Sequence, residues 1–355
     1  MNIAILWTSL SGYLNSSMRE LSSRPRVNLF VAHEARASDA PFSDEQFSWI
    51  ENRFEYSRAP DYRRLRQSLE EFRPDLVLCS WHISAFQRAA FELRGRAARI
   101  ACLDNQWIGN IRQQIAAATS VFHLRRYYDS AFVPGERQAV WARRMGFRED
   151  RIWRGLYSAN LAAFSGPSPT AAPRVGFLFA GRLAAEKGIT VLAEAYGLYS
   201  KSAECPLPLI VAGTGPLSRQ LQLPGVTLKG FLQPCDLPEL FARSACFVLP
   251  SLFEPWGVVI HEAAAAGLPI ICTRTCGAAV HLVQDGYNGF LIEPSDPIGL
   301  ANALTRFSQL DRGRKAAMGD ASRLLALQFS PERWANTVID RGSALREEVR
   351  KGTPQ

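Results

Sequence analysis

The chain has no lysine before Lys187, no Asp-x-Asp pair anywhere, and no apolar run near the ~20 uninterrupted residues that a membrane span requires. Without an Asp-x-Asp pair it lacks the short acidic motif that commonly holds a metal-bound diphosphate. Without a long apolar run it is not expected to be integral to a membrane. The opening Met1-Asn2-Ile3-Ala4-Ile5-Leu6-Trp7 has neither a basic flank nor a cleavage site, so it reads as a first strand and not as a signal peptide. Cysteine is sparse and odd in number, at seven, which argues against a disulfide framework. Cys272 and Cys276 lie close together but lack the second pair of a zinc site. Buried free thiols in a reducing cytoplasm are the expected state. No aromatic-and-basic recognition module is visible, which sets nucleic acid aside as a partner.

What the chain does have is arginine. Residues 1–165 hold 23 Arg against 17 Asp and Glu, so most of the formal charge of +8 sits in the first half. Solvated surface charge explains such an excess. So does a basic face for anionic membrane lipid at the inner membrane surface, or for an anionic acceptor.

Short apolar runs alternate with helical patterns along the whole length, which implies parallel sheets covered on both faces. The predicted strands of the first half are Ile3–Leu6, Val27–Ala32, Leu76–Cys79, Ile100–Leu103 and Ala131–Val133. Tyr62–Phe72 reads as a helix, with Leu65, Leu69 and Phe72 at helical spacing. Ser158–Arg174 is rich in Ser, Pro and Ala and marks a connection. A second alternation follows, with strands at Val175–Ala180, Leu209–Ala212, Val226–Leu228, Cys246–Leu249, Pro269–Cys272 and Phe290–Ile292. Helices are expected at Lys187–Tyr199, Leu237–Arg243, Leu300–Phe307 and Gly319–Gln328. Ser330-Pro331-Glu332 opens a last helix as N-cap, N1 proline and acidic N2. The expected division is a domain over 1–165, a linker over 166–174, a second domain over 175–329, and a C-terminal helix and tail over 330–355 packing back toward the first domain. Two such doubly wound domains would face a cleft, and ligands of open parallel sheets bind beyond the carboxyl ends of the strands.

The most informative stretch is Phe253-Glu254-Pro255-Trp256-Gly257-Val258-Val259-Ile260-His261-Glu262-Ala263. It reads as a strand end, a tight loop, and a helix opening at Gly257. The free N–H groups of a helix start suit a phosphate. A carboxylate on either side could hold hydroxyls at both ends of a molecule with phosphates in its middle, and a sugar nucleotide is such a molecule. Glu262 lies among apolar neighbours, and a carboxylate there needs a partner.

The second half resembles the retaining glycosyltransferases of family 4, in the two-domain GT-B fold. Phe179-Ala180-Gly181-Arg182-Leu183, Glu186-Lys187-Gly188, Gly213-Thr214-Gly215-Pro216, Leu228-Lys229-Gly230-Phe231 and Leu249-Pro250-Ser251 stand in the family's order. Glu254-Pro255-Trp256-Gly257, Glu262-Ala263, Gly267-Leu268-Pro269 and Asp285-Gly286-Tyr287-Asn288-Gly289 complete the set, from about Val175 to Phe307. The resemblance implies that Arg182 and Lys187 grip the donor diphosphate, beside Gly213. It implies that Glu254 bonds donor sugar hydroxyls and Glu262 the ribose hydroxyls. The backbone around Pro255, Trp256 and Gly257 would complete the cradle. No cofactor or metal is implied, because fixed cations and amides stabilise the leaving diphosphate themselves. Taken singly, Arg182 and Lys187 read equally well as solvated charges beside a helix start.

Two places depart from the family pattern. Cys276-Gly277-Ala278 replaces a Gly-Gly turn, with His281 where a Glu is usual. The first-domain glycine loop is reduced to Ser11-Gly12-Tyr13, in which Gly12 would let the chain approach the diphosphate. In the first domain, Asp104-Asn105-Gln106-Trp107 follows a strand. That polar trio beside an indole suits hydroxyl recognition, with a sugar stacked on Trp107, although an Asx turn beside a core Trp has the same sequence. Asp104 stands where many relatives place a His near the reacting carbon. His82, after another strand, could contact donor or acceptor, or merely satisfy a carbonyl. Gly213-Thr214-Gly215 hints at a dinucleotide fingerprint, but Ser218 in the third position argues against a dehydrogenase.

The expected function is therefore transfer of a hexose from a UDP- or GDP-linked donor to an acceptor hydroxyl on a sugar, a lipid-linked saccharide or a small metabolite. A same-fold epimerase, a phosphorylase and a non-catalytic sugar-nucleotide-binding protein are the alternatives. The phosphorylase would need a pyridoxal lysine that the chain does not obviously offer.

Overall fold

Apolar runs flanked by turn residues become strands buried on both faces, as parallel sheets demand. The computed structural model describes residues 1–35, 44–166 and 174–352. The chain divides into two units, Met1–Ser158 with Pro331–Gln355, and Ala159–Ser330.

The first unit contains β1 (Asn2–Leu6), β2 (Asn28–Glu34), β3 (Asn52–Tyr56), β4 (Leu76–Ser80), β5 (Ala98–Cys102), β6 (Ser130–Val133) and β7 (Ile152–Arg154). They form one sheet in the order β3-β2-β1-β4-β5-β6-β7. All neighbours are parallel, with Ile5 in register with Val31 on one side and Leu78 on the other. Two of these strands, β3 and β7, are absent from the sequence reading. Their segments, Asn-Arg-Phe-Glu-Tyr and Ile-Trp-Arg, are edge strands too polar or too short to stand out. The helix Tyr62–Phe72 forms where expected. Asp61 caps it by accepting the N–H groups of Arg63 and Arg64, and Leu65 and Leu69 are buried.

A buried ion pair joins β5 to the start of β6. The Arg99 guanidinium donates twice to the Asp129 carboxylate, at 3.0 and 2.5 Å, and once to the Arg126 carbonyl at 3.0 Å. The Arg99 N–H adds a further bond to Asp129 at 2.8 Å. With both residues buried, this geometry offsets the cost of removing two charges from water.

The last helix, Pro331–Arg350, belongs to this unit. Trp334 packs on Phe132 at 6.1 Å, and its indole N–H donates to the Leu156 carbonyl at 2.9 Å. A Cβ at Gly342 would stand 2.7 Å from Leu76 Cδ2, so glycine lets the helix lie close to the sheet.

The second unit contains β8 (Phe177–Ala180), β9 (Leu209–Ala212), β10 (Val226–Gly230), β11 (Cys246–Leu249), β12 (Ile270–Thr273) and β13 (Gly289–Ile292). Their order is β10-β9-β8-β11-β12-β13, all parallel. Counted within the unit this is 3-2-1-4-5-6, the doubly wound nucleotide-binding order, whose switch point lies between β8 and β11. The unit begins at Ala159, earlier than the composition of the Ser/Pro/Ala stretch suggests. Asn160 caps a short helix, Leu161–Phe164, and Phe164 meets Phe241 edge-on at 5.3 Å. Residues 167–173 of the expected linker lie outside the described residues. All seven cysteines are free.

Candidate functional site

The carboxyl ends of β8 and β11 lie side by side at the switch point, and the loops leaving them are locked together by backbone contacts. Gly213 has φ +137°, and a Cβ there would fall 1.9 Å from the Gly181 carbonyl oxygen. Leu183 N–H donates to Thr214 O at 2.8 Å, so the Gly-Thr-Gly turn lies against Gly181–Leu183. Gly188, at φ +69°, presses on the loop after β11, where a Cβ would meet the Pro250 oxygen at 2.0 Å. Leu252 N–H donates to Glu186 O at 2.9 Å. Only glycine permits both approaches and both backbone conformations.

This locking carries Lys187 onto Glu254. Their ammonium and carboxylate form an ion pair, with side chains 17% and 10% exposed. Ser251 Oγ stands 3.5 Å from the same carboxylate oxygen. Arg182 is more open, with 58% of its side chain exposed, and pairs with Glu186 at 2.9 Å. Neither cation proposed for the diphosphate is thus an isolated solvated charge. Lys187 and Glu254, separate donor contacts in the sequence reading, here act as one unit.

Gly257, at φ +89°, ends the Glu254 loop and starts the helix Val258–Ala265. A Cβ at Gly257 would lie 2.9 Å from Glu254 Cγ, so the helix start sits against that side chain. Its N-cap, Gly257, has no side chain with which to accept the first N–H groups. The loop is clamped from below: Gly277 N–H donates to Glu254 O at 3.0 Å and Ala278 N–H to Trp256 O at 2.8 Å. Thr273 and Thr275 hydroxyls donate to Ser251 O at 2.6 and 3.0 Å. The Cys276-Gly277-Ala278 turn that departs from the family pattern therefore supports the Glu254 loop through its backbone. Trp256 is buried against Phe329 and His281, at 5.4 and 5.9 Å.

Two residues of this helix behave oppositely. His261 is buried and neutral: Nδ1 accepts from Ala159 N–H and Nε2 donates to Ala326 O, both at 2.9 Å. Burial pushes its pKa down to about 4. The Glu262 side chain, partly buried, has no hydrogen-bond or charge partner among the described residues. Desolvation raises its carboxyl from 4.5 to about 7. An unsatisfied carboxylate on an apolar helix is a ready acceptor for a hydroxyl pair.

In the first unit, Gly12 opens the helix Gly12–Ser22 just beyond β1. The buried Ser11 hydroxyl ahead of it finds no partner among the described residues. His82 is exposed on the turn after β4. Asp104, after β5, accepts from the Tyr157 hydroxyl at 3.1 Å. Tyr157 also meets Tyr13 at 5.1 Å and Trp7 at 6.4 Å, edge-on. Burial, reinforced by the Asp104 carboxylate, holds its hydroxyl protonated. Tyr157 and Tyr13 tie the segments after β1 and β5 together; Tyr13 stood in the sequence only as part of the glycine loop, and no sequence signal marked Tyr157. Asn105 is exposed. Gln106 and Trp107 are turned to packing. Arg137 donates to Gln106 Oε1 at 3.4 Å, and Trp107 stacks on Trp141 at 5.5 Å with Arg144 over its ring at 5.4 Å. The helix Glu136–Arg144 supplies Arg137, Trp141 and Arg144, which is why the indole has a protein partner already. Among the described residues, no group of three or more His, Cys, Asp or Glu could hold a metal ion.

Residues 174–309, which contain Arg182, Lys187, Glu254 and Glu262, match the family model "Glycosyl transferases group 1". The chain is 36% identical over 215 residues to a GDP-mannose-dependent alpha-mannosyltransferase of Corynebacterium glutamicum, covering 59% of this chain and 48% of that one. It is 29% identical over 189 residues to a D-inositol 3-phosphate glycosyltransferase of Corynebacterium kroppenstedtii, covering 49% and 41%. The chain thus spans about half or less of the length of these curated relatives. Its fold resembles that of Anabaena Alr3699/HepE, solved in complex with UDP, with a TM-score of 0.76 at 20% identity over 97% of this chain and 100% of that one. The two units are those of the GT-B fold, and the resemblance to a GT-B glycosyltransferase drawn from the motifs holds.

Proposed function

We propose that the protein is a retaining, metal-independent hexosyltransferase of family 4, taking its sugar from a UDP- or GDP-linked donor and delivering it to an acceptor hydroxyl. The observation that carries this reading is the Lys187–Glu254 pair held against the glycine-capped helix start at Gly257, at the switch point of a doubly wound sheet. The donor diphosphate would lie on the helix N–H groups, beside Gly213, with Arg182 and Lys187 as its cations. Those cations and amides take the place of a metal ion. Glu254 would receive sugar hydroxyls and Glu262 the ribose hydroxyls. The sugar–phosphate bond breaks as the acceptor oxygen approaches the same face, and the departing phosphate oxygen takes the acceptor proton. Negative charge grows on the diphosphate in that step, where the fixed cations stabilise it most.

The relatives support a nucleotide donor, and they include one named for GDP-mannose and a neighbour solved with UDP. Asp104, with His82 and Asn105, forms the acceptor side, where Gln106 and Trp107 contribute through packing; Asp104 is the nearest counterpart of a group beside the reacting carbon. Sugar, lipid-linked and small-molecule acceptors are all compatible with this arrangement, as is work in the cytoplasm at the inner membrane face. No helix among the described residues is long and apolar enough to cross a membrane. A same-fold epimerase or a silent binding protein would share the nucleotide site but not the transfer. Calorimetry against UDP and GDP, followed by donor hydrolysis monitored by anomeric NMR, separates these. Failure to bind either nucleotide at millimolar concentration would remove the proposal, and binding without any turnover of a donor panel would favour the silent protein.

A further inference from the structure

The helix Ile111–Tyr127 of the first unit is apolar on both sides. One side serves the core: Leu124 and Ser120 are buried, and Ala116, Ala117 and Tyr127 pack against the hydrophobic cluster. The opposite side, which on a surface helix is normally polar, carries Ile111, Ile115 and Phe122. At about 100° per residue these three fall within roughly 60° of one another. Ile111 is 74% exposed, Ile115 58% and Phe122 72%, and Ile108 just ahead of the helix is 57% exposed. Single exposed apolar residues need no explanation, but three on one helix face with a fourth just ahead of the helix do.

The charge along this segment has one sign. From Asn105 to Tyr128 there is no Asp or Glu, while Arg112, Arg125 and Arg126 all fall in the segment. Arg112 and Arg126 are exposed, and Arg126 lies over the Phe91 ring at 5.4 Å, which extends the apolar surface onto the neighbouring helix. An apolar row flanked by arginine, with no acid in its own segment, fits an interface of hydrocarbon and anionic headgroups.

We propose that this face docks the protein on an anionic phospholipid surface, with Ile108, Ile111, Ile115 and Phe122 entering the headgroup boundary and Arg112 and Arg126 contacting lipid phosphates. The same helix is capped by Asn110 and follows directly on the Asp104 loop, so the docked face and the acceptor-side loop are contiguous in the chain. The inference deepens the membrane part of the function proposed above. It is read without donor or acceptor, so its failure would leave the nucleotide site standing.

The test is co-sedimentation of the full chain with vesicles of phosphatidylglycerol and phosphatidylcholine, against phosphatidylcholine alone. Wild type should bind the anionic vesicles at low salt and release as salt rises. Ile111→Ser/Phe122→Ser should lose roughly tenfold or more of that partitioning, and Arg112→Glu/Arg126→Glu should lose the preference for anionic lipid. All four positions are exposed, so circular dichroism and melting should be unchanged; if the double serine variant melts early, Phe122→Ser alone serves. Absence of wild-type binding, or equal binding by the serine variant, overturns the proposal. So does capture by soluble poly-glutamate without capture by vesicles, which would point to an acidic protein instead.

Discussion

Replacing Lys187 by Met separates the two roles its ammonium holds. In the empty protein Lys187 neutralises Glu254, whose side chain is only 10% exposed. Removing one partner of a well-buried pair costs about 3–5 kcal/mol, because the other charge is stranded. Lys187 is itself 17% exposed, so water reaches the pair in part, and a smaller loss, about 2–3 kcal/mol, is expected. For a unit of this size that corresponds to a fall of about 5–12 °C in melting temperature. Glu254→Gln in the same chain removes the stranded charge while keeping the side chain's shape, and should recover most of that loss. Nucleotide affinity behaves differently. A charge-assisted bond to phosphate is worth about 1.5–3 kcal/mol, so Lys187→Met should weaken UDP or GDP binding by roughly 10- to 100-fold. Glu254→Gln cannot restore it. Glu254→Gln alone should leave nucleotide affinity intact and lower turnover of the donor. Differential scanning calorimetry and titration calorimetry on the four proteins give both readings. Unchanged affinity for both nucleotides in Lys187→Met, with the expected loss of stability, would refute the diphosphate role and leave a purely structural ion pair.

Three further outcomes follow from the geometry. Glu262 is raised to about 7 from 4.5 in the folded protein, so the native state holds its proton more tightly than the unfolded chain. Its contribution is therefore fully present below pH 4.5 and is lost as pH rises through about 7, a loss on the order of 2–3 kcal/mol that Glu262→Gln should abolish in urea unfolding across that window. Arg99→Met should destabilise the first unit by about 3–5 kcal/mol by stranding Asp129, and the double change Arg99→Met/Asp129→Leu should recover most of it in denaturant melts; equal instability of both would show that the pair is not what the site needs. Gly188→Ala places a Cβ where the Pro250 oxygen stands at 2.0 Å and imposes a backbone strain of about 1–3 kcal/mol. It should displace the Lys187 turn and weaken nucleotide binding at least as much as Lys187→Met, and wild-type affinity in that variant would contradict the locked-loop account.

The second sheet was legible because most of its strands are apolar runs, three of them closed by Gly or Pro: Phe177–Ala180 before Gly181, Leu209–Ala212 before Gly213 and Cys246–Leu249 before Pro250. The first sheet was less so. Asn52–Tyr56 carries Arg53 and Glu55, which alternation alone does not distinguish from an exposed loop. The side chains that pair in space were legible only by type. Lys187 and Glu254 stand 67 residues apart, Asp104 and Tyr157 53, and Arg99 and Asp129 30. Periodicity carries no information about such partners; sheet order decides them. Trp107 shows the converse failure: an indole beside polar residues suggested a sugar platform, but the Trp141 that covers it lies 34 positions on, in a helix whose packing the loop sequence does not encode. The start of the second unit was hidden by composition, since Ser, Pro and Ala suggested a linker where Ala159 is already tied to His261.

Synthesis of this chain cannot finish its two units in the order in which they begin. Residues 159–330 are one uninterrupted stretch and can close as soon as they leave the ribosome. The earlier sheet must wait, because Phe132 and the Leu156 carbonyl are covered by Trp334, which is made after the whole of that stretch. Chains arrested at Ser330 should accordingly yield a protease-resistant fragment of the later-made half while the N-terminal portion is digested, and equal resistance of both would show that the final helix is dispensable for closing the first sheet.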